Sequence, residues 1–267
     1  MATYTGKVIV LTGASQGIGK ALALALSPQK PKLVLAARDE TALQAVASQC
    51  QARGAATLVF QTDVTDEAQC RELIRRTVAE AGGVDVLVHN AGGGMNARFD
   101  EMTDLSVFEK LMRVNYLGPV YLTHEALPHL KKSGGQIVVV SSMAGLTGVP
   151  LRTAYSGSKH AVFGLFESLR IEIAEHGVSV TMIAPDFVQS EIHRRAYGPH
   201  GKPVGDSTIA ERVAMPADEC AALIVGAMER RQRLLITSLR GRLGRFGRLL
   251  VPRLVDRIAY RAIRRGV

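Results

Sequence analysis

Short apolar runs that alternate with longer segments of helical spacing constrain the fold of this 267-residue chain more than any other feature. The runs are apolar throughout instead of alternating with polar residues, which is typical of parallel strands covered on both faces. This repeat of strand and helix predicts an α/β fold with a doubly wound parallel sheet of the Rossmann type. The predicted strands lie at residues 8–11, 33–36, 57–60, 86–88, 137–140, 178–183 and 234–236.

The segments between these runs are long enough for crossover helices, and no linker or repeat divides them. We therefore predict one catalytic and cofactor-binding domain over residues 1–238, followed by a basic amphipathic helical tail over residues 239–267. Ligands of such a sheet bind beyond the carboxyl ends of its strands, near the point where the strand order reverses. The predicted helices lie at residues 18–26, 40–53, 67–81, 105–132, 154–175 and 216–230.

The formal charge of +9 belongs to the end of the chain. Residues 229–267 contain twelve arginines and two acids, a net of +10, so the remaining residues have a net charge of 9 − 10 = −1. Cys50, Cys70 and Cys220 form no ligand pattern, and we expect no metal. Lone cysteines, no recognisable leader peptide and no apolar stretch of about 18 residues predict a cytoplasmic protein.

A glycine-rich turn follows the first predicted strand and opens the first predicted helix. Glycine permits a tight turn and a close approach of the backbone to a pyrophosphate, and the free N–H groups of a helix start bind that anion. The spacing GxxxGxG differs by one residue from the usual dinucleotide-binding fingerprint. The residues expected to bind the cofactor here are Gly13, Ser15, Gln16, Gly17, Ile18 and Gly19.

Later motifs resemble those of the short-chain dehydrogenase/reductase family. Asp63-Val64 resembles the family's adenine-contacting segment after the third strand, and residues 90–92 (Asn-Ala-Gly) resemble its turn after the fourth. The resemblance implies a nucleotide-binding oxidoreductase that transfers hydride between a nicotinamide and a carbonyl or alcohol. It implies further cofactor contacts at Asp63, Val64, Asn90, Ala91, Gly92, Tyr155, Lys159, Pro185, Val188 and Ser190.

Asn115, Ser142, Tyr155 and Lys159 match the family's catalytic residues in order and spacing. Tyr155 and Lys159 are four residues apart, which places them on one face of a helix. Because a positive charge favours a phenolate, we expect Lys159 to lower the pKa of Tyr155, the catalytic acid/base, from about 10. The resemblance implies that Lys159 also binds the nicotinamide ribose, that Ser142 polarises the substrate carbonyl, and that Asn115 joins a water relay from Lys159.

The end of the second predicted strand bears on the choice between NADP and NAD. An acid there would bind the ribose 2′-hydroxyl and repel a phosphate, but this chain has Ala37 followed by Arg38. A guanidinium binds a 2′-phosphate through two hydrogen bonds, so we predict NADP(H), with NAD(H) as the alternative. Gln16 stands where NADP-preferring relatives often have a basic residue. Arg38 also suits a solvated surface beside Asp39, which we expect to cap the next helix.

The segment after the sixth strand contains the least family-like residue of the site. Relatives usually have glycine where this chain has Asp186, and we interpret it as a turn residue in preference to a substrate contact. Residues 191–215 contain several Gly and Pro residues and are predicted to form a mobile lid over the substrate. Residues 92–95 are predicted to line the substrate cleft, and no residue identifies the substrate.

From Arg240 onwards, arginines alternate with leucines and a phenylalanine until Pro252 interrupts the pattern. A helix after Pro252 would have arginines on one side and apolar residues on the other. Three interpretations are open: an interfacial membrane helix, an element that packs on the body or on a second subunit, and nucleic-acid binding. We predict no nucleic acid, because no base-reading motif accompanies the charge, and a peripheral membrane contact through residues 240–267 as one of the two remaining interpretations.

These features together predict an NADP(H)-dependent carbonyl reductase or alcohol dehydrogenase with a lipophilic carbonyl or alcohol substrate. The resemblance implies a homodimer or a homotetramer. One alternative is an NADP(H)-binding sensor or scaffold without significant turnover, and another is a membrane-associated partner-binding protein that acts through its tail. The presence of Asn115, Ser142, Tyr155 and Lys159 together favours the enzyme.

Overall fold

The computed structural model describes residues 3–205 and 214–264, and in it the apolar runs form one seven-stranded sheet. The strands are Val8–Thr12 (β1), Lys32–Ala37 (β2), Ala56–Gln61 (β3), Val86–His89 (β4), Gln136–Val140 (β5), Ser179–Ala184 (β6) and Leu234–Ile236 (β7). They are parallel, in the order β3-β2-β1-β4-β5-β6-β7. The predicted doubly wound sheet is confirmed, and its order reverses between β1 and β4.

The apolar runs are continuous because both faces of the sheet are covered. Successive side chains of a strand point to opposite faces. In β1, Ile9 and Leu11 therefore pack into one core, and Val8 and Val10 pack into the other. Every residue of β1 is buried, as parallel strands between two helical layers require.

The described helices include these two covering layers. They are Gly17–Leu26 (α1), Glu40–Gln51 (α2), Glu67–Ala81 (α3), Ser106–Met112 (α4), Gly118–Ser133 (α5), Thr153–Glu172 (α6), Ala217–Glu229 (α7), Leu239–Leu250 (α8) and Pro252–Arg264 (α9). Helices α1, α2 and α7 cover one face, and α3, α5 and α6 cover the other. Asp39 caps α2 as predicted, because its Oδ1 accepts a hydrogen bond from the N–H of Ala42 at 2.9 Å.

The helix predicted over residues 105–132 is present over residues 106–133, but it is not regular throughout. Helix α4 ends at Met112, and a π-helical turn, Arg113–Leu117, separates it from α5. Pro119 has no N–H to donate to the carbonyl four residues earlier, so the regular hydrogen-bond pattern breaks at Asn115. Helices α2 and α6 also end at Gln51 and Glu172, before the predicted residues 53 and 175.

The C-terminal region is helical, as predicted, but it forms two helices that pack on each other. Pro252 begins α9, which is the position where proline is best tolerated. The apolar side chains of α8 remain exposed, with Leu243 at 63%, Phe246 at 66% and Leu250 at 81%. In the described part of the chain, no helix combines the length and apolar character that crossing a membrane requires.

Candidate active site

A cleft of about 630 Å³ opens at the carboxyl edge of the sheet, where the strand order reverses. Of the predicted site residues, Gly19 and Asn115 do not line the cleft, and both are buried. The others line it: Gly13, Ser15, Gln16, Gly17, Ile18, Arg38, Asp63, Val64, Asn90, Ala91, Gly92, Ser142, Tyr155, Lys159, Pro185, Val188 and Ser190.

Thr12 and Asn90 join the end of β1 to the turn after β4. Asn90 Nδ2 donates to the carbonyl oxygens of Thr12 and Gly13, each at 3.0 Å. Thr12 Oγ1 accepts from the N–H groups of Asn90 at 3.0 Å and Ala91 at 3.1 Å. A Cβ at Gly13 would lie 2.8 Å from Ala91 Cα, and φ is +64°, so glycine alone fits there. The two strand ends are thereby held in close contact at the floor of the cleft.

The N-terminus of α1 opens onto this floor. Gly17, with φ of +54°, turns the backbone into the helix. Gln16 occupies the N-cap, and its side chain makes no capping hydrogen bond in the described structure. The first N–H groups of α1 therefore have no side-chain cap, and the positive end of the helix dipole lies beside them. This arrangement fits the pyrophosphate of a dinucleotide.

Arg38 and Asp63 line the opposite end of the cleft. The guanidinium of Arg38 is exposed and forms no ion pair with any described residue. The carboxylate of the adjacent Asp39 is directed to the start of α2. Asp63 Oδ1 accepts from the N–H and the hydroxyl of Thr65, at 2.9 and 2.8 Å, which fixes the carboxylate. A free cation and an ordered carboxylate thus lie at the end expected to hold the adenosine.

Ser142 follows β5, and Tyr155 lies in the first turn of α6. Both side chains line the cleft, and the Ser142 hydroxyl acts to lower the pKa of Tyr155. Ser142 Oγ also accepts from the N–H of Ala144 at 3.1 Å, which orients the hydroxyl at the start of a 3₁₀ turn. The hydroxyl of the neighbouring Ser141 is buried without a partner among the described residues. Of the two serines, Ser142 is the one whose hydroxyl affects the pKa of Tyr155.

The phenol of Tyr155 is only 9% exposed. Burial raises its pKa, while the Ser142 hydroxyl and the positive charge of Arg152 act in the opposite direction. This is the reverse of the lowering by Lys159 that the sequence predicts. Lys159 Nζ lies 5.8 Å from the centre of the Tyr155 ring, and burial outweighs the nearby charges. The phenol is therefore protonated at neutral pH, which is the form that donates a proton.

Lys159 is buried beneath the turn after β4. Its Nζ donates to the carbonyl oxygen of Val140 at 3.2 Å. A Cβ at Gly92 would lie 3.6 Å from Nζ, an ordinary contact, but only 2.8 Å from Asn115 Oδ1, so glycine at that position leaves room for Asn115. Burial lowers the pKa of Lys159 to about 8, because the charged form loses its hydration.

Asn115 does not line the cleft, but its side chain holds two elements of the site together. It lies in the π-helical turn, a feature that occurs mostly at functional sites. Its Oδ1 accepts from the N–H of Gly93 at 3.0 Å, and its Nδ2 donates to the carbonyl of Gly93 at 3.1 Å. Nδ2 also donates to Ser158 Oγ at 2.9 Å, and Ser158 Oγ donates to the carbonyl of Tyr155 at 2.8 Å. The side chain of Asn115 therefore links the turn after β4 to α6.

Asp186 is more than the turn residue predicted from the sequence. Its carboxylate accepts hydrogen bonds from Ser238 Oγ at 2.7 Å and from Arg240 at 2.9 and 3.0 Å. It thus connects the loop after β6 to the start of α8. Neither the turn nor the substrate-contact interpretation includes this attachment, because its partners are more than fifty positions away in the sequence.

The predicted lid of residues 191–215 is described up to residue 205 and again from residue 214, so residues 206–213 lie outside the description. The described part packs on the segment after β4. Tyr197 N–H donates to the carbonyl of Gly94 at 2.9 Å, and the N–H of Asn96 donates to the carbonyl of Tyr197 at 2.8 Å. The segment therefore forms one wall of the cleft, beside Gly92, Gly93 and Gly94. Met95, which was predicted to line the cleft, is fully buried and does not.

Sequence analysis missed three residues that build this site. Thr12 precedes the glycine turn, and its position beside Gly13 was an available signal. Ser158 lies within the Tyr155–Lys159 motif, but its contact with Asn115 depends on the break before α5. Arg152 lines the cleft from the turn before α6, and no spacing rule distinguishes it from a surface arginine.

A family model described as short chain dehydrogenase matches residues 7–198, which include the whole cofactor end of the cleft and the Ser142, Tyr155 and Lys159 cluster. The chain belongs to the short-chain dehydrogenase/reductase family. It is therefore an oxidoreductase that binds a nicotinamide cofactor and a small-molecule substrate.

Individual relatives extend this similarity over nearly the whole chain. A Pinus massoniana protein named 11-beta-hydroxysteroid dehydrogenase is 34% identical over 258 residues, which cover 94% of this chain and 72% of that protein. The crystal structure of a short-chain dehydrogenase/reductase from Burkholderia phymatum in complex with NAD superposes with a TM-score of 0.85 at 28% identity, covering 95% of this chain and 96% of that one. An alcohol dehydrogenase from the archaeon Thermococcus sibiricus, complexed with 5-hydroxy-NADP, superposes with a TM-score of 0.73 at 28% identity, covering 86% and 95%.

The lowered pKa of Lys159 predicts that this residue destabilises the protein without cofactor. Below a pH of about 8 the folded chain buries a charged ammonium, and this cost disappears as the pH rises towards 10.5, where the unfolded lysine also loses its proton. Lys159→Met should therefore raise the free energy of unfolding at pH 7, measured in urea without cofactor, by about 1–3 kcal/mol. The gain should shrink at pH 9.5.

Lys132→Met, at an exposed position near the end of α5, is the matched control, and it should change the free energy of unfolding by less than about 0.5 kcal/mol. A lower stability of Lys159→Met than of the parent protein at pH 7 would contradict the account.

Proposed function

We propose that this enzyme is an NADP(H)-dependent reductase of a carbonyl compound, with Tyr155 as the proton donor and the residues predicted above as its site. The observation that supports it is the cluster of Ser142, Tyr155 and Lys159 in the cleft, with Lys159 Nζ 5.8 Å from the centre of the Tyr155 ring. The bound nicotinamide would supply the hydride. Ser142 would donate a hydrogen bond to the substrate oxygen, and Tyr155 would give that oxygen its proton as negative charge develops on it.

Lys159 has two roles in this proposal. Its ammonium group would bind the ribose hydroxyls next to the nicotinamide, and its positive charge near the Tyr155 ring would stabilise the phenolate that remains after proton transfer. Asn115 keeps Gly93 and α6 in register, so that the donor atoms stay in place. A proton relay through Asn115 remains a prediction.

The choice of NADP(H) over NAD(H) depends on Arg38. A guanidinium without an ion-pair partner among the described residues, next to Ala37 in place of an acid, suits a 2′-phosphate. The titles of the two similar structures name NAD and 5-hydroxy-NADP, so they do not distinguish the cofactors.

Replacement of Arg38 by Ala should weaken NADPH binding far more than NADH binding, because only NADPH has the 2′-phosphate. Loss of a charge-assisted, bidentate contact should raise the Kd for NADPH about 10- to 100-fold and leave the Kd for NADH within about threefold. Titration of nicotinamide fluorescence measures both constants. Arg75→Ala, which removes an exposed arginine paired with Glu72 on α3, should change neither. Equal losses for the two cofactors would disprove the assignment.

A second part of the proposal concerns the tail formed by α8 and α9. Arg240 and Arg248 are tied to the body through Asp186 and Thr147, whereas the apolar residues Leu243, Phe246 and Leu250 stay exposed. Helix α9 packs on α8, and its arginines Arg253, Arg257 and Arg261 form no ion pair with any residue whose side chain is described. Apolar side chains beside arginines fit the interface of an anionic membrane such as the cytoplasmic leaflet. We propose a cytoplasmic enzyme that contacts this surface and acts on a lipophilic substrate.

The double variant Phe246→Ser/Leu250→Ser should bind vesicles of phosphatidylcholine and phosphatidylserine at least about tenfold more weakly than the parent protein. The reason is that it lacks two apolar side chains that would insert into the bilayer. Co-sedimentation with these vesicles and with pure phosphatidylcholine measures the effect. Leu105→Ser, at an exposed leucine on the body, is the control. Unchanged vesicle binding together with dissociation of an oligomer would instead identify the surface as a subunit interface.

A further inference from the structure

Among the arginines that line the cleft, Arg152 is the one within one helical turn of Tyr155. It is not among the residues expected to bind the cofactor. It occupies the N-cap of α6, three residues before Tyr155, and its side chain is partly buried in the cleft. Among the described residues, no acid forms an ion pair with it. A cation removed from water without a partner is unfavourable, so its retention in a cleft points to a ligand of opposite charge.

The acids of the same cleft wall are already engaged with other cations. Asp186 accepts from Ser238 and Arg240, and Glu191 lies 3.6 Å from Arg194. The cations near Tyr155 have no such compensation, because Arg152 faces His193 and the buried Lys159 lies beside the phenol. The substrate half of the cleft is therefore positively charged.

Two features of the backbone make the position of Arg152 energetically unfavourable. A cation at a helix N-terminus opposes the helix dipole, and α6 has 20 residues. Leu151, immediately before it, has φ of +64°, a left-handed conformation unfavourable for a leucine, and its carbonyl is held by the N–H of Ala97 at 3.0 Å. The strained backbone lies at Leu151, and the partly buried charge that opposes the helix dipole lies at the adjacent Arg152. Such unfavourable features are typical of functional sites.

We propose that Arg152 binds a carboxylate of the substrate, so that the lipophilic substrates of the proposed enzyme are oxo acids or hydroxy acids with an apolar chain. A guanidinium matches a carboxylate with two parallel hydrogen bonds. The acid group would lie close to the reacting carbon, because Arg152 is one helical turn from Tyr155. The rest of the substrate would contact the apolar cluster where it lines the cleft, at Val149, Tyr155 and Tyr197. This inference rests on the proposed reductase activity.

A different role for Arg152 would be to act through Tyr155, whose pKa its charge lowers. The two roles differ in which substrates they affect. Loss of a carboxylate contact lowers kcat/KM for an acid substrate and not for its ester. Loss of an effect on the phenol lowers kcat/KM for both substrates alike and shifts the pH profile.

The test uses aliphatic 4-oxo acids of short and medium chain length and their methyl esters, with saturating NADPH. The parent enzyme should have a kcat/KM for the acid at least about tenfold above that for the ester. Arg152→Gln should lower kcat/KM for the acid about 10- to 100-fold, mainly through KM, and should affect the ester far less. Arg152→Lys should fall between the two, and Arg170→Gln, at the far end of the same helix, should behave as the parent.

Equal kcat/KM values for acid and ester in the parent enzyme would overturn the proposal. So would an equal loss for both substrates in Arg152→Gln with a shifted pH profile, which would assign Arg152 to Tyr155. Calorimetric binding of the acid and the ester to the NADP⁺-loaded protein provides a readout without turnover. Preferential binding of the acid, lost in Arg152→Gln, supports the proposal even if neither compound is reduced, in which case the proposed activity alone fails.

Discussion

The hydrogen bonds that join the end of β1 to the turn after β4 are the contact on which the rest of the site depends. Thr12 and Asn90 exchange four hydrogen bonds with the two backbones, and the close approach leaves no space for a side chain at Gly13. Because β1 and β4 are neighbours whose crossover connections run in opposite directions, a crevice opens directly above this contact. The start of α1 lies on one side of it, and the buried Lys159 lies on the other.

Burial of charged and polar groups determines the chemistry on that second side. Tyr155 and Lys159 lie on one face of α6, and both lose hydration, so each shifts towards its neutral form. A cofactor and substrate would supply the partners that these groups lack in the protein alone. Burial of these two side chains therefore lowers the stability of the folded chain. In exchange, both groups are positioned to bind cofactor and substrate and to transfer a proton.

Much of this could be predicted from the sequence, for reasons that are local. Continuous apolar runs locate the strands to within a residue or two, and the four-residue spacing of Tyr155 and Lys159 places both on one helix face. Effects that depend on distant residues could not be predicted. The π-helical turn at Asn115 depends on Pro119, the role of Asp186 depends on Arg240, and the direction of the Tyr155 pKa shift depends on how deeply α6 is buried. The position of Arg152 in the cleft depends on the strained turn at Leu151.

The most direct test of the central claim is to follow hydride transfer itself. The protein is incubated with NADPH deuterated at nicotinamide C4 and with ketones, aldehydes and oxo acids from small polar compounds to steroid-sized ones, and the products are analysed by mass spectrometry. The account predicts deuterium on the carbinol carbon of at least one product. It also predicts a rate about 10²- to 10⁴-fold lower for Tyr155→Phe, which still binds NADPH. Tight binding of NADPH without deuterium transfer to any compound would contradict the account and favour a cofactor-binding sensor or scaffold.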